Sequence, residues 1–269
     1  MGADIKSLRT RIKSVRSTQH LTKAMGLVAS SKIRRAQLNS KHALEYADSV
    51  SSIVNVLLSS RECEKSAYMC PKSDKIKLIV IAGDRGLAGG YNSNVFRYAR
   101  DYEGAAFYPI GKKPCERFGR EIISSEHISY EDTLSLAKEL CKEFKEGKYG
   151  KIGVIYTRYK SMITQYPDIK WILPLEKSES TGGSVAIFEP DELTMLESSV
   201  PTYVAGLLYS CIKESFACEV VARRNAMDSA GKNAATMIDE LQLKYNRARQ
   251  GTITQEITEI VAGSGDGEA

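Results

Sequence analysis

The stretch GDRGLAGGYNSNV, Gly83 to Val95, directly follows a strand-like run, IKLIVIA (Ile76–Ala82). A strand, a glycine-rich turn and a helix together can cradle phosphate on backbone N–H groups. The spacing does not complete either familiar version. A P-loop needs GxxxxGK[ST], with a lysine to neutralise the phosphates, and no such run occurs in the chain. A dinucleotide turn needs GxGxxG, whereas the glycines here are Gly83, Gly86, Gly89 and Gly90. The acid expected at the end of the next strand is also misplaced, since Glu103 precedes that strand. The turn therefore reads as a tight strand-to-helix connection, with Asn92 or Ser93 as helix N-cap, and no nucleotide cofactor is expected.

Other chemistry is equally sparse. His20, His42 and His127 fall in three separate segments, and no HExxH, CxxC or GxSxG occurs. Six cysteines include two pairs seven residues apart, Cys63/Cys70 and Cys211/Cys218. That spacing is too wide for a usual zinc knuckle and reads as reduced, partly buried thiols. No catalytic group, cofactor or metal is expected.

The elements that would position a site are more informative. The chain has 269 residues, 42% hydrophobic and 26% charged, an ordinary balance for a water-soluble fold. No apolar run reaches the roughly 20 residues of a membrane span, and the charged start MGADIKSLRTRIKSVR lacks the apolar stretch of a signal peptide. Residues 1–35 hold nine basic residues (Lys6, Arg9, Arg11, Lys13, Arg16, Lys23, Lys32, Arg34 and Arg35) against Asp4 alone. This block nets +8 while the whole chain nets +5, so an acidic partner is expected near it.

From Asp4 to about Ser60 there is no proline and the single glycine is Gly26. Ile5, Leu8, Ile12 and Val15 step as a coiled-coil seam. The pattern then passes to Leu21, Met25 and Val28, and on to Leu44, Ala47, Val54 and Leu57. After Pro201, read as an early helix position or the turn before one, no proline follows. Met227, Ala230, Ala234, Met237, Leu241, Lys244 and Ala248 form a second seam, succeeded by Ile253, Ile257 and Ile260, with the helix fading at Gly263. Such helices at opposite ends of a chain pair most simply as an antiparallel coil. Ala24, Gly26, Ala29, Ser30 and Ser31 on one helix would allow close approach to Ala230, Gly231, Ala234 and Ala235 on the other. Apolar residues in excess of one seam point to a second surface around the coil.

Between the helices, Ile76–Ala82, Ala105–Ile110, Ile152–Tyr159 and Lys170–Leu175 read as strands. Residues Ser93–Tyr102, Pro114–Arg120 and Thr133–Glu146 read as helices. This alternation predicts an α/β domain with a mostly parallel sheet. The expected organisation is residues 1–60 as one coiled-coil helix, 61–190 as the central domain and 191–269 as the other coiled-coil helix, with Phe188–Leu196 beginning the return.

The sequences IKSLRTRIKSVRSTQHLTKAMGLVASSKIRRAQ (Ile5–Gln37) and AMDSAGKNAATMIDELQLKYNRARQGTITQEITEIVAGS (Ala226–Ser264) resemble the two ends of the gamma subunit of F-type ATP synthases. GDRGLAGGYNSNV resembles that family's central turn. Ala88 departs from the frequent cysteine of GLCGG, and Ala262-Gly263-Ser264 from the usual ending. The resemblance implies a non-catalytic rotor shaft with a central Rossmann-like domain. Its partners would be the alpha and beta subunits, epsilon and the membrane ring of c subunits, at the cytoplasmic face of a bacterial plasma membrane. It further implies that Met25 meets the acidic lever loop of beta, and that Arg223, Arg249, Gln250 and Thr254 meet the catch loops. Lys23 and Arg9 join the rotor–stator contacts on the strength of the basic block. Two rival readings are a basic coiled-coil nucleic-acid-binding protein, which residues 1–35 weaken by lacking Phe, Tyr and Trp, and a nucleotide-dependent oxidoreductase.

Overall fold

The structure, a computed structural model, describes residues 2–177 and 188–265. The chain divides into two compact units, residues 1–28 with 224–269, and residues 29–223. Helices α1 (Gly2–Leu58) and α5 (Glu192–Gly265) each contribute to both.

In the first unit, α1 and α5 run antiparallel. Gly231 faces Thr22 and Gly26 faces Met227, while Arg16 donates to Gln242 Oε1 at 3.3 Å. As the number rises on one helix it falls on the other. On α1 the less exposed residues Ile5, Leu8, Ile12, Val15, Gln19, Thr22 and Gly26, with Met25 half-buried beside the last, alternate steps of three and four, the 3.5-residue repeat of a coiled coil. The seam does not pass to Leu21, Met25 and Val28, as the apolar pattern suggests; Leu21 is 60% exposed. On α5 the seam is Met227, Gly231, Ala234, Ile238, Leu241, Tyr245, Ala248 and Thr252. Ile238 is 8% exposed and its neighbour Met237 43%, so the expected stripe through Ala230 and Met237 is displaced by one residue. The displacement begins at Gly231, which carries no apolar side chain to signal its place. Of the small residues, Gly26, Gly231 and Ala234 occupy the seam, whereas Ala24 is exposed. The helix continues past Gly263 to Gly265.

The second unit holds the sheet. Strands β1 (Ile76–Ile81), β2 (Ala106–Ile110), β3 (Lys151–Tyr159) and β4 (Gln165–Leu173) lie in the order β2-β1-β3-β4. β1 pairs parallel with β2 and β3, and β4 closes an antiparallel hairpin on β3. The sheet is mostly parallel, as expected, but β4 starts five residues earlier than Lys170, because pairing with β3 overrides the weak strand propensity of Gln165–Asp168. Helices α2 (Tyr91–Arg100), α3 (Lys112–Phe118) and α4 (Tyr130–Lys145) connect the strands. α4 opens on a capping box between Ser129 and Asp132.

One face of the sheet packs Ile79, Ile81, Ile152 and Val154 with Leu140 and Phe144 of α4 and with Leu196, Val200 and Leu208 of α5. The other face packs Leu78, Val80 and Ile155 with Val95 and Ala99 of α2. Further along the two long helices, Ala29, Ile33, Val220 and Val221 form a small cluster of their own. Pro201 lies inside α5, since the helix begins at Glu192. An internal proline costs about 3 kcal/mol. Leu196, Val200 and Val204 are fully buried around it, and at about 1.5–3 kcal/mol for each buried aliphatic side chain they offset that cost.

Candidate functional site

The loop after β1 is held from several sides. Its Asp84 carboxylate accepts from the N–H groups of Lys112 (2.9 Å), Ser125 (3.0 Å) and Glu126 (3.0 Å) and from the Ser124 hydroxyl (2.7 Å). Burial pushes the Asp84 carboxyl up, but these four donors outweigh it and hold the group below its usual range. Lys112 opens α3.

The Gly83 N–H donates to Asn92 Oδ1 at 2.9 Å, and Asn92 Nδ2 donates to the Arg85 carbonyl at 3.2 Å. Asn92 therefore ties the loop from within α2. The N-cap position falls to Gly90, without a side-chain cap, and not to Asn92 or Ser93. Gly83 must be small: a Cβ there would lie 2.7 Å from the Glu219 carboxyl carbon. Leu87 has φ 61° and Gly89 φ 59°, whereas a Cβ on Gly86 would meet open space at an ordinary φ.

Arg223, half-buried on α5, forms an ion pair with Glu219 one turn earlier and donates to the carbonyls of Arg85 (3.4 Å) and Gly86 (3.3 Å). Burial pushes the Glu219 carboxyl up, and Arg223 opposes this. Sequence reasoning passed over Glu219, yet it is the one acid in the otherwise apolar stretch FACEVVA, a pattern that marks a paired buried charge. His20, His42 and His127 are all exposed, and among the described residues no group of His, Cys, Asp and Glu is arranged to hold a metal ion. Cys63, Cys115, Cys141, Cys211 and Cys218 are buried and Cys70 is exposed.

The remaining sequence-derived positions belong to the first unit. Arg9, Lys23, Arg249, Gln250 and Thr254 are exposed and Met25 is half-buried beside the seam. Gln250 and Thr254 lie one turn apart, with the Thr254 hydroxyl donating to the Gln250 carbonyl at 2.9 Å. The antiparallel register puts Arg9 toward the same end as Arg249, while Lys23 and Met25 lie about 20 Å further along α1. The positions thus fall at two levels of the coil, with Arg223 in the other unit. All nine basic residues of the N-terminal block are exposed.

Continuing the Gly26–Met227 pairing brings Gly2 level with Gly251. α5 runs on beyond that level, and there Ile253, Ile257 and Ile260 are exposed. Leu21, Leu27, Met237 and Leu243 are exposed along the paired part of the coil. No helix among the described residues is long and apolar enough to cross a membrane, so this apolar surface is not a membrane span.

A family model described as ATP synthase matches residues 4–265. The chain is 40% identical to the ATP synthase gamma chain of Ruminococcus albus, over 97% of this chain and 98% of that protein. It is 37% identical to the gamma chain of Alkaliphilus metalliredigens, over 98% and 99%. Among solved structures, the chain is similar to one in the cryo-EM structure of the Euglena gracilis mitochondrial ATP synthase OSCP/F1/c-ring, with TM-score 0.71, 19% identity and coverage of 99% and 95%. It is also similar to a chain of the Tetrahymena thermophila central stalk/c-ring, with TM-score 0.62, 23% identity and coverage of 78% and 99%. These likenesses to solved structures establish a shared fold.

Proposed function

The chain belongs to the ATP synthase gamma chain family, and from that premise we propose that it is the central-stalk rotor subunit. In this reading it couples ion flow through a membrane c-ring to ATP synthesis or hydrolysis in a ring of alpha and beta subunits by rotating inside it. The observation that carries the reading is the apolar surface left uncovered on the coil, above all Ile253, Ile257 and Ile260 where α5 outruns α1. An exposed apolar stripe of this kind belongs against a partner, and a sleeve formed by the head subunits supplies one.

The subunit supplies no catalytic group. Residues 1–60 and 191–269 act as the shaft, and residues 61–190 as the foot that meets epsilon and the c-ring. The complex sits at the cytoplasmic face of the bacterial plasma membrane, with this chain attached peripherally. Arg9, Lys23, Met25, Arg249, Gln250 and Thr254 meet the stator, and the basic block faces acidic loops of beta. Arg223, further back along α5, serves the same contact.

Family membership along nearly the whole chain leaves the nucleic-acid reading without support. Co-expression with alpha and beta chains tests the proposal. A purified complex containing all three supports it; an alpha–beta head that assembles while this chain elutes alone refutes it.

A further inference from the structure

Between the C-terminal half of α4 and Pro201 of α5 lies a cavity of about 400 Å³, a size that suits a small ligand. Tyr68, Cys141 and Pro201 give it an apolar floor, and Tyr68 and Cys141 are each 2% exposed. Burial pushes the Cys141 thiol up to about 11 and the Tyr68 phenol up as well, so at neutral pH the floor carries no negative charge. Lys138, Lys142 and Lys145 line the same cavity. They follow one another at i, i+4 and i+7 on α4, so their charges share one face, and like charges a turn apart destabilise a helix. The helix dipole favours lysines in the last turn, which accounts for Lys142 and Lys145. Lys138 lies further back than that effect reaches.

The chain does not neutralise this rim. Lys145 pairs with Glu197 at 2.9 Å. Lys142 meets Glu146 at 3.9 Å with both side chains more than half exposed, a pair worth little in water. Lys138 has no ion-pair or hydrogen-bond partner among the described residues. We propose that the cavity binds an amphipathic anion, with a phosphate or carboxylate held by Lys138 and Lys142 and an apolar body lying against Tyr68, Cys141 and Pro201. The anion relieves the repulsion between the two ammonium groups, and lysine serves as a point-charge binder of phosphate. The apolar body covers the floor, which a bare inorganic ion would leave wet. A lipid headgroup and a soluble amphiphile offer this same chemistry. The site asks nothing of the shaft reading.

The test is calorimetric titration of the purified chain with octyl phosphate below its micelle concentration. Inorganic phosphate and octyl glucoside serve as probes that each carry one half of the proposed ligand. Octyl phosphate binds, and each half-probe binds at least about tenfold more weakly. Lys138→Gln/Lys142→Gln weakens octyl phosphate by at least about tenfold, the size of one lost charge-assisted contact, whereas Lys138→Arg/Lys142→Arg retains binding. Both lysines are exposed, so these variants fold, and their unfolding midpoints without ligand check this. Absence of octyl phosphate binding overturns the proposal. Equal affinity in the parent and in Lys138→Gln/Lys142→Gln also overturns it, by placing the anion elsewhere on the chain, and inorganic phosphate binding as tightly as octyl phosphate removes the apolar half. Sedimentation with phosphatidylglycerol vesicles, set against phosphatidylcholine ones, then separates the sources. Vesicles that bind the parent and not Lys138→Gln/Lys142→Gln make the ligand a lipid; vesicles that bind both equally, or neither, make it a soluble amphiphile.

Discussion

A Cβ placed on Gly26 would lie 3.6 Å from the Cβ of Met227, so the two long helices touch at this level with room for one methyl group. Gly26→Ala is therefore accommodated, and it removes the penalty of about 1 kcal/mol that an internal glycine imposes on a helix. Thermal unfolding of the purified chain should show a higher midpoint for Gly26→Ala. Gly26→Leu should lower the midpoint, as overpacking typically costs about 1–3 kcal/mol.

The displaced seam separates two neighbours on α5. Ile238 is buried and Met237 exposed. Ile238→Asp should cost several kcal/mol by putting an unpaired charge into the seam, whereas Met237→Asp should leave urea unfolding of the isolated chain within about 0.5 kcal/mol of the parent. Equal losses from both would mean that the seam runs elsewhere.

Two glycines near the loop should behave in opposite ways. Gly111 has φ 113°, and a Cβ there would lie 2.1 Å from the Ala82 carbonyl oxygen. Gly86 has neither constraint. Gly111→Ala should lower the unfolding midpoint steeply, while Gly86→Ala should be nearly neutral.

Asp84 gives a pH signature. Its carboxyl is depressed in the folded chain, so its contribution is fully present above the unfolded value of about 3.9. The contribution is lost as pH falls through that value toward the folded one. Stability measured by urea unfolding should therefore drop in that window, and less steeply in Asp84→Asn. Identical pH profiles for parent and variant would show that Asp84 does not brace the loop.

Met25 is half-buried beside a strongly basic surface. In the shaft reading, Met25→Lys gains an ion pair with an acidic stator loop and deepens one rotary well. Each 1.4 kcal/mol added to the barrier slows that step about tenfold. Assembly should survive, and ion uptake per ATP in membrane vesicles should fall. An unchanged ratio would remove Met25 from the rotor–stator contact.

Much of the fold was legible because its signals are local. The runs Ile76–Ala82 and Ile152–Tyr159 are rich in β-branched residues bounded by polar turns, and both proved to be strands. The long stretches without proline proved to be long helices. What escaped depends on partners distant in sequence. The seam passes through Thr22, Gly26 and Gly231, residues that an apolar count ignores and that only the opposite helix selects. Pro201 sits inside α5 because buried neighbours on both sides outweigh its local preference. The clasp between Glu219, Arg223 and the loop joins residues more than a hundred positions apart, and no spacing rule reaches that far. The polar positions Arg249, Gln250 and Thr254 come from the family resemblance alone, and all three are exposed.

The most direct measurement is rotation. Cys70 is the exposed cysteine of the six, the other five being buried, so it can carry a bead when the partner subunits lack reactive thiols. With the alpha–beta head fixed to glass and ATP supplied, the account predicts that the bead turns continuously in one direction, at a rate that follows ATP hydrolysis. A bead that only fluctuates about one angle while the head hydrolyses ATP at its normal rate would contradict it.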